Sequence, residues 1–303
     1  TRHPERWATN LKIDDINSKT YHGKINLVTS NPQQALQGCE IVLLCLPGFA
    51  IKSELENIKS HLAPDTIVGS IVSSTGFFFF AYEVLGLGAK LFGFQRVPYI
   101  ARTVEYGHSA NLLGYKSQIA IAAENVDDAE NLRATIENLF STPTLLLGSH
   151  YEVSLTNSNP ILHTGRLYTM FSNWDGAPFD HNILFYKEWT NEASQMLIDM
   201  DNEFMTLLQH LPMNPKAIPS LLDYYESTDA ESLTRKITSI AAFQNILSPM
   251  KQEANGWVPD FESRYFSEDF PYGLRFIINL CKENNIAAPN LQKVFDWGIS
   301  VCK

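Results

Sequence analysis

The apolar positions of this chain change their period part-way along. Ile41-Val42-Leu43-Leu44-Cys45-Leu46 is a continuous apolar run closed by Pro47-Gly48, the pattern of a parallel strand buried on both faces. Ile51, Leu55, Ile58 and Leu62 then recur at helical spacing, and Ala63-Pro64-Asp65 ends that helix before a second apolar run over 66–72. This is a βαβ unit. The run from 67 to 87 is interrupted by Ser73-Ser74-Thr75-Gly76, so it reads as a strand, a turn and a short helix. Further strands are expected over 90–94, 118–123 and 144–147, with a helix over 128–140 carrying Leu132, Ile136, Leu139 and Phe140. Strands alternating with helices at this spacing predict an α/β, doubly wound sheet. From about residue 149 the texture turns to long helical stripes, one of Trp189, Ala193, Met196, Met200, Phe204 and Leu207, another of Leu274, Ile277, Ile278 and Cys281. The expected architecture is a Rossmann-type domain over 1–149 and an all-helical domain over 150–303.

A chain of 303 residues can bury two cores of ordinary size. Hydrophobic residues at 45% and charged ones at 18% exclude disorder. No apolar run approaches the ~20 residues that span a bilayer. A net charge of -10 disfavours nucleic acid or an anionic membrane as partner, while leaving local basic pockets for phosphate open. Cys39, Cys45, Cys281 and Cys302 lack CxxC spacing and read as free thiols of a reducing compartment, not as zinc ligands or disulfides. The opening Thr1-Arg2-His3-Pro4-Glu5-Arg6-Trp7 is polar and unlike a signal peptide, so the cytoplasm is the expected location. A homodimer is compatible with the sequence, which does not fix the oligomeric state.

A Rossmann-type domain holds a pyrophosphate at a glycine-rich turn after its first strand. This sequence contains no such turn. Gly86-Leu87-Gly88-Ala89-Lys90-Leu91 is a near match that lacks the third glycine and follows a helix-like segment. The stretch 1–7 reads as the turn after the second strand, so strand, glycine loop and helix, roughly 30 residues, are expected upstream. At the presumed ribose position stands Arg2, which either receives a 2′-phosphate, favouring NADP over NAD, or is a solvated surface arginine. Leu46, Pro47 and Gly48 follow a buried strand at its carboxyl end, where cofactor contacts gather, and are candidate cofactor-binding residues.

The candidate chemistry sits in two later words. Asn157–Gly176, NSNPILHTGRLYTMFSNWDG, offers His163 among apolar and amide residues, and 261–273, FESRYFSEDFPYG, offers Arg264 and Asp269 five apart. A histidine that trades a proton near neutral pH needs a carboxylate to fix its tautomer and hold its charge, and an oxo acid needs a guanidinium for its carboxylate. Taken alone, His163 reads either as that acid–base group or as a core histidine bonded to a carbonyl. His163 followed eleven residues on by Trp174-Asp175-Gly176, then Arg264-Tyr265-Phe266-Ser267-Glu268-Asp269-Phe270-Pro271-Tyr272-Gly273, resembles the octopine/nopaline (opine) dehydrogenase family. The likeness extends over nearly the whole chain through Phe94-Gln95-Arg96-Val97-Pro98-Tyr99-Ile100-Ala101-Arg102. One departure is Thr164, where the family usually has proline. The resemblance implies an NAD(P)-dependent oxidoreductase that condenses an amino acid with a 2-oxo acid and reduces the imine. It also implies a helical domain of the 6-phosphogluconate dehydrogenase-like kind. His163 would donate and accept protons, Asp269 would stabilise its imidazolium, and Arg264 would hold a carboxylate.

Other residues keep two readings. Gln95 and Arg96 follow a strand in the family's substrate-facing segment, and Arg96 holds either a substrate carboxylate or an acidic neighbour. Asn157 and Asn159 orient nicotinamide or substrate, or form a cap and turn. Trp174 is a candidate substrate contact. Arg264 either binds substrate or pairs with Glu268. His22, His61, His210, His150 and His181 are read as surface residues, and Asp199 and Asp201 as a solvated helix face. No HxxxH, HxH or GxSxG word occurs, so neither a metal nor a serine nucleophile is expected. Two alternatives stay open: a ketopantoate-reductase-like or hydroxyacid dehydrogenase, whose helical-domain lysine has no counterpart motif here, and a nucleotide-binding protein without turnover.

Overall fold

The computed structural model describes residues 1–74 and 76–302. Thr75, in the expected turn, and Lys303, the end of the expected second domain, lie outside the described residues. The chain separates into two compact units, Thr1–Ser154 and Leu155–Lys303.

In the first unit a hairpin of β1 (Asn10–Asp15) and β2 (Thr20–Lys24) precedes a short helix α1 (Pro32–Leu36). The expected alternation follows as β3 (Ile41–Leu44), α2 (Gly48–Ile58), β4 (Ile67–Ser70), α3 (Phe77–Leu85) and β5 (Leu91–Phe94). A second hairpin, β6 (Tyr99–Glu105) and β7 (Ser109–Tyr115), leads to β8 (Ile119–Glu124), α4 (Ala129–Phe140), β9 (Thr144–Leu147) and α5 (His150–Ser154). The main sheet has the order β3-β4-β5-β8-β9. β3, β4 and β5 run parallel, with Ile41 opposite Ile67 and Val68 opposite Leu91. β8 runs antiparallel to β5, because the intervening hairpin returns the chain without a crossover helix.

Both faces of this sheet are covered, as a doubly wound fold requires. One core gathers Ile51, Leu55 and Ile58 of α2 with Phe77, Phe78 and Ala81 of α3; the other joins Phe92, Phe94 and Ile121 to Leu132 and Ile136 of α4. Each leucine, isoleucine or phenylalanine among them removed from water is worth roughly 1.5–3 kcal/mol. The short α5 packs on β8 and β5, and this keeps it with the first unit and carries that unit on to Ser154. A feature not anticipated is a second sheet, ordered β2-β1-β7-β6, with β1 parallel to β7.

The second unit is helical: α6 (Asn159–Phe171), α7 (Asn191–Leu208), α8 (Leu221–Tyr224) and α9 (Ala230–Ser239) come first. One short antiparallel hairpin, β10 (Met250–Glu253) and β11 (Gly256–Pro259), interrupts the expected all-helical pattern. Its Gly256 sits at φ +139, beside the Phe179 carbonyl, where a Cβ would come within 2.4 Å of the oxygen. After it come α10 (Arg264–Ser267), a wide π-type turn at Phe270–Leu274, α11 (Arg275–Glu283) and α12 (Pro289–Val301). No helix among the described residues is long and apolar enough to cross a membrane.

Candidate active site

His163 lies in the second turn of α6. Asn157 prepares the start of that helix, its Oδ1 accepting the Asn159 N–H at 3.2 Å, and Pro160 occupies the first turn, where a missing N–H costs nothing. Thr164 is fully buried, and its hydroxyl donates back to the Pro160 carbonyl, so the position where proline is usual is here regular helix. The imidazole is held at both nitrogens: Nδ1 is 2.8 Å from Asp269 Oδ2, and Nε2 is 3.0 Å from the Tyr186 hydroxyl. Tyr265 tilts over the ring at 4.7 Å and Phe185 meets it edge-on at 5.7 Å. A carboxylate only accepts, so Nδ1 carries the proton, and in the neutral ring Nε2 accepts from Tyr186.

Asp269 reaches the histidine because of what surrounds it in sequence. Arg264 opens α10 with its side chain exposed, and Tyr265 follows it. After Asp269 the helix widens: the Leu274 N–H donates to the Asp269 carbonyl at 2.8 Å, five residues back. Gly273 lets this turn close on α6, since a Cβ there would lie 2.6 Å from Pro160 Cγ. The glycine of the Asp-Phe-Pro-Tyr-Gly word thus sets the approach of the aspartate's turn to the histidine's helix. Burial pushes the Tyr265 phenol up, with Asp269 adding to it.

Two residues absent from the sequence reading complete the arrangement. Tyr186 is 7% exposed and packs between Trp189 and Phe243, stacked on both, with ring centroids 6.0 and 4.3 Å away. Burial drives its phenol well above the ordinary value, and Tyr265, Tyr225 and Asp269 act in the same direction. Arg166, one turn after His163 and 3% exposed, donates from Nε to the Phe185 carbonyl at 3.1 Å and from Nη2 to the Glu188 carbonyl at 2.7 Å. Its guanidinium also lies over the Trp189 ring, and burial lowers its pKa to about 10 against the opposing pull of Glu188. A cation buried on carbonyls pins the segment that carries Tyr186. No spacing rule in the sequence joins residue 186 to 163.

The remaining candidates fall elsewhere. Gln95 donates from Nε2 to the Glu152 carbonyl at 3.1 Å, tying β5's exit to α5, and Arg96 and Arg2 are exposed. Trp174 donates its indole N–H to the Ala177 carbonyl at 2.7 Å within the Trp-Asp-Gly turn, where Gly176 takes φ +94. Asn159 is half-buried at the head of α6. Two readings need correction. His150 is not a surface loop residue: it heads α5, its Nδ1 lies 3.0 Å from Glu124 Oε1, and Phe78, Tyr82 and Tyr151 enclose its ring. That burial lowers its pKa, with Glu124 opposing. Asp201 is not solvated either; it is 5% exposed, and its Oδ2 accepts the Leu221 N–H at 2.8 Å. The near-match glycines stand at a helix end, Gly86 closing α3 at φ +97. Among the described residues no cluster of three His, Cys, Asp or Glu could hold a metal ion, and the four cysteines are free.

Leu46, Pro47 and Gly48 link the carboxyl end of β3 to the N-terminus of α2, with Pro47 at the cap and Gly48 buried. A doubly wound sheet receives a dinucleotide at this edge, and a helix N-terminus without a side-chain cap leaves backbone N–H groups for its oxygens, so the residues present fit such a cofactor.

A doubly wound nucleotide-binding unit followed by a helical unit with a histidine–carboxylate pair defines a two-domain dehydrogenase. The profile of the NAD/NADP octopine/nopaline dehydrogenase α-helical domain matches residues 146–302. The chain therefore belongs to the octopine/nopaline dehydrogenase family, NAD(P)-dependent oxidoreductases of opine dehydrogenase type acting on CH–NH bonds by reductive condensation. It is similar to tauropine dehydrogenase of Arabella iricolor, 28% identical over 97% of this chain and 81% of the relative. In fold it is similar to octopine dehydrogenase solved with NADH and L-arginine, with TM-score 0.84 and 23% identity over 98% of this chain and 80% of that one. A ketopantoate reductase from Ralstonia eutropha shares the fold at TM-score 0.60 and 12% identity, over 97% of this chain and 85% of that one.

Proposed function

We propose that His163 is the acid–base group of an opine-forming reaction between an amino acid and a 2-oxo acid, with Asp269 and Arg264 as its partners. The single observation that carries this reading is the 2.8 Å contact between His163 Nδ1 and Asp269 Oδ2, two residues 106 apart in sequence. Ligand classes come from relatives: solved octopine dehydrogenase structures hold L-arginine or pyruvate. His163 takes a proton from the amino group, freeing its lone pair to add to the ketone. It then returns that proton to the carbonyl-derived oxygen and carries a second one there from the nitrogen of the adduct, so that the oxygen leaves as water and the imine, protonated on nitrogen, remains. Asp269 holds the positive charge that His163 carries between these steps. When bound, the nicotinamide supplies the hydride that reduces the imine carbon.

Arg264, exposed at the head of α10, offers a forked guanidinium for a substrate carboxylate. Arg96, Gln95, Asn159 and Trp174 are retained as substrate contacts. Arg2 is assigned to the 2′-phosphate of NADP, and Leu46, Pro47 and Gly48 to the cofactor's edge of the sheet. A cytoplasmic location is supported by four free cysteines. His163→Ala is expected to abolish turnover, by at least about 100-fold, while cofactor affinity measured by fluorescence titration stays within about twofold. A folded variant that keeps most of its rate removes His163 from the mechanism.

A further inference from the structure

With the His163 Nδ1–H donating to Asp269, the ring's remaining nitrogen is its only exchangeable position, and the Tyr186 hydroxyl occupies it at 3.0 Å. Tyr186 cannot easily swing aside. Its ring is stacked between Trp189 and Phe243, and the backbone on either side of it is fixed by Arg166, which holds the carbonyls of Phe185 and Glu188. A phenol caught between aromatic rings, on a segment tied by a buried cation, is an unusual expenditure of buried polar groups for a hydrogen bond that merely filled space. Either substrate must displace the hydroxyl, or the proton must pass through it.

We infer that Tyr186 is a proton relay, through which His163 Nε2 exchanges its proton with the reacting groups. This rests on the assignment of His163 as the acid–base group. In the resting state the hydroxyl donates to Nε2. When His163 acts as base, Nε2 takes the Tyr186 proton as the phenolic oxygen takes one from the substrate amine. When His163 acts as acid, Nε2–H passes its proton to the phenolic oxygen as the hydroxyl proton moves to the departing oxygen. Each transfer leaves Tyr186 neutral, and protons balance at every atom. Burial and the neighbouring Asp269 disfavour a free phenolate, so the two transfers run together and not in sequence.

The variant that tests this is Tyr186→Phe, which keeps the ring stacking and removes one oxygen. In the cofactor-free protein, 15N NMR of the His163 ring, assigned against His163→Ala, should show Nδ1 protonated and Nε2 as a hydrogen-bonded acceptor. The Nε2 resonance should move in Tyr186→Phe. In the holoenzyme, the single-turnover rate of nicotinamide oxidation should fall on the order of 10- to 100-fold. Its dependence on the deuterium fraction of solvent should change from curved, with two protons in flight, to linear. An unchanged or faster rate, a lowered rate that stays curved, or an unmoved Nε2 resonance each overturns the relay. If His163→Ala itself keeps its rate, the acid–base assignment fails first; if His163→Ala is inactive and Tyr186→Phe is not, only the relay falls.

Discussion

Asp201→Asn should change how the stability of the helical unit depends on pH. Asp201 lies on α7, 5% exposed, with Oδ2 accepting the Leu221 N–H that opens α8. Burial raises its pKa from 3.8 to about 6; the Leu221 hydrogen bond opposes this and the Asp223 charge adds to it. An acid raised on folding binds its proton more tightly in the folded state. Its contribution is therefore fully present below pH 3.8, the unfolded value, and is lost as pH rises through about 6. A gap of about two pH units corresponds to about 3 kcal/mol. Asparagine keeps an oxygen for the Leu221 N–H and carries no charge; any cost of burying its amide nitrogen is the same at every pH. Chemical unfolding of both proteins from about pH 4 to pH 8, followed by tryptophan fluorescence, isolates the effect, since Trp174, Trp189, Trp257 and Trp297 all lie in this unit. The variant's stability relative to the native chain should improve by about 3 kcal/mol across that range. Parallel stability curves would refute the argument.

Arg264→Lys should raise KM for the oxo acid about tenfold or more while kcat changes less, because lysine keeps the charge but not the fork that grips a carboxylate twice; an unchanged KM puts Arg264 outside the site. Arg2→Ala should weaken NADP about tenfold relative to NAD, read from the two dissociation constants, and an unmoved ratio returns Arg2 to the solvent.

Much of the first unit was legible because burial on both faces writes a continuous apolar word. The runs 41–46 and 66–72 correspond to β3 and β4 for that reason, while β9, at the sheet edge, is apolar over 145–147 with Leu145 exposed. The second sheet left no such trace. All five residues of β2 are exposed, and β6 is exposed at every position after Tyr99, so neither strand needs a hydrophobic face. In the helical unit, helical periodicity alone places Asp201 on the buried face of α7. Residues two apart on a helix point about 200° from each other, so Asp199 and Asp201 could not share one solvated face. Asp201 falls instead with Leu197, Phe204 and Leu208, all buried. His150 and Tyr186 were different, since their partners Glu124 and His163 are 26 and 23 residues away and no periodicity connects them.

The word Arg-Tyr-x-x-Glu-Asp-x-Pro-x-Gly makes physical sense as one device. Arg264 and Tyr265 start a helix of a single turn, which puts the guanidinium in solvent and the phenol over the His163 ring. One turn later Asp269 aims its carboxylate at Nδ1. Pro271 lacks an N–H, which favours releasing the regular ladder at this point, and the chain takes the wider turn closed by Leu274 on the Asp269 carbonyl. Gly273 then removes the Cβ that would collide with Pro160, and on the far side Gly298 of α12 does the same for Phe270, where a Cβ would lie 2.0 Å from Cε1. The aspartate's direction is thus set by a proline and two glycines that touch no reacting group. A histidine–carboxylate pair built on two helices needs this precision at the contact, since a shift of about 1 Å at 2.8 Å would break the bond that fixes the tautomer. That is why the sequence signal for the pair lay mostly in small and rigid residues around it, and why Tyr186, fixed instead by an arginine on carbonyls, left no word to read.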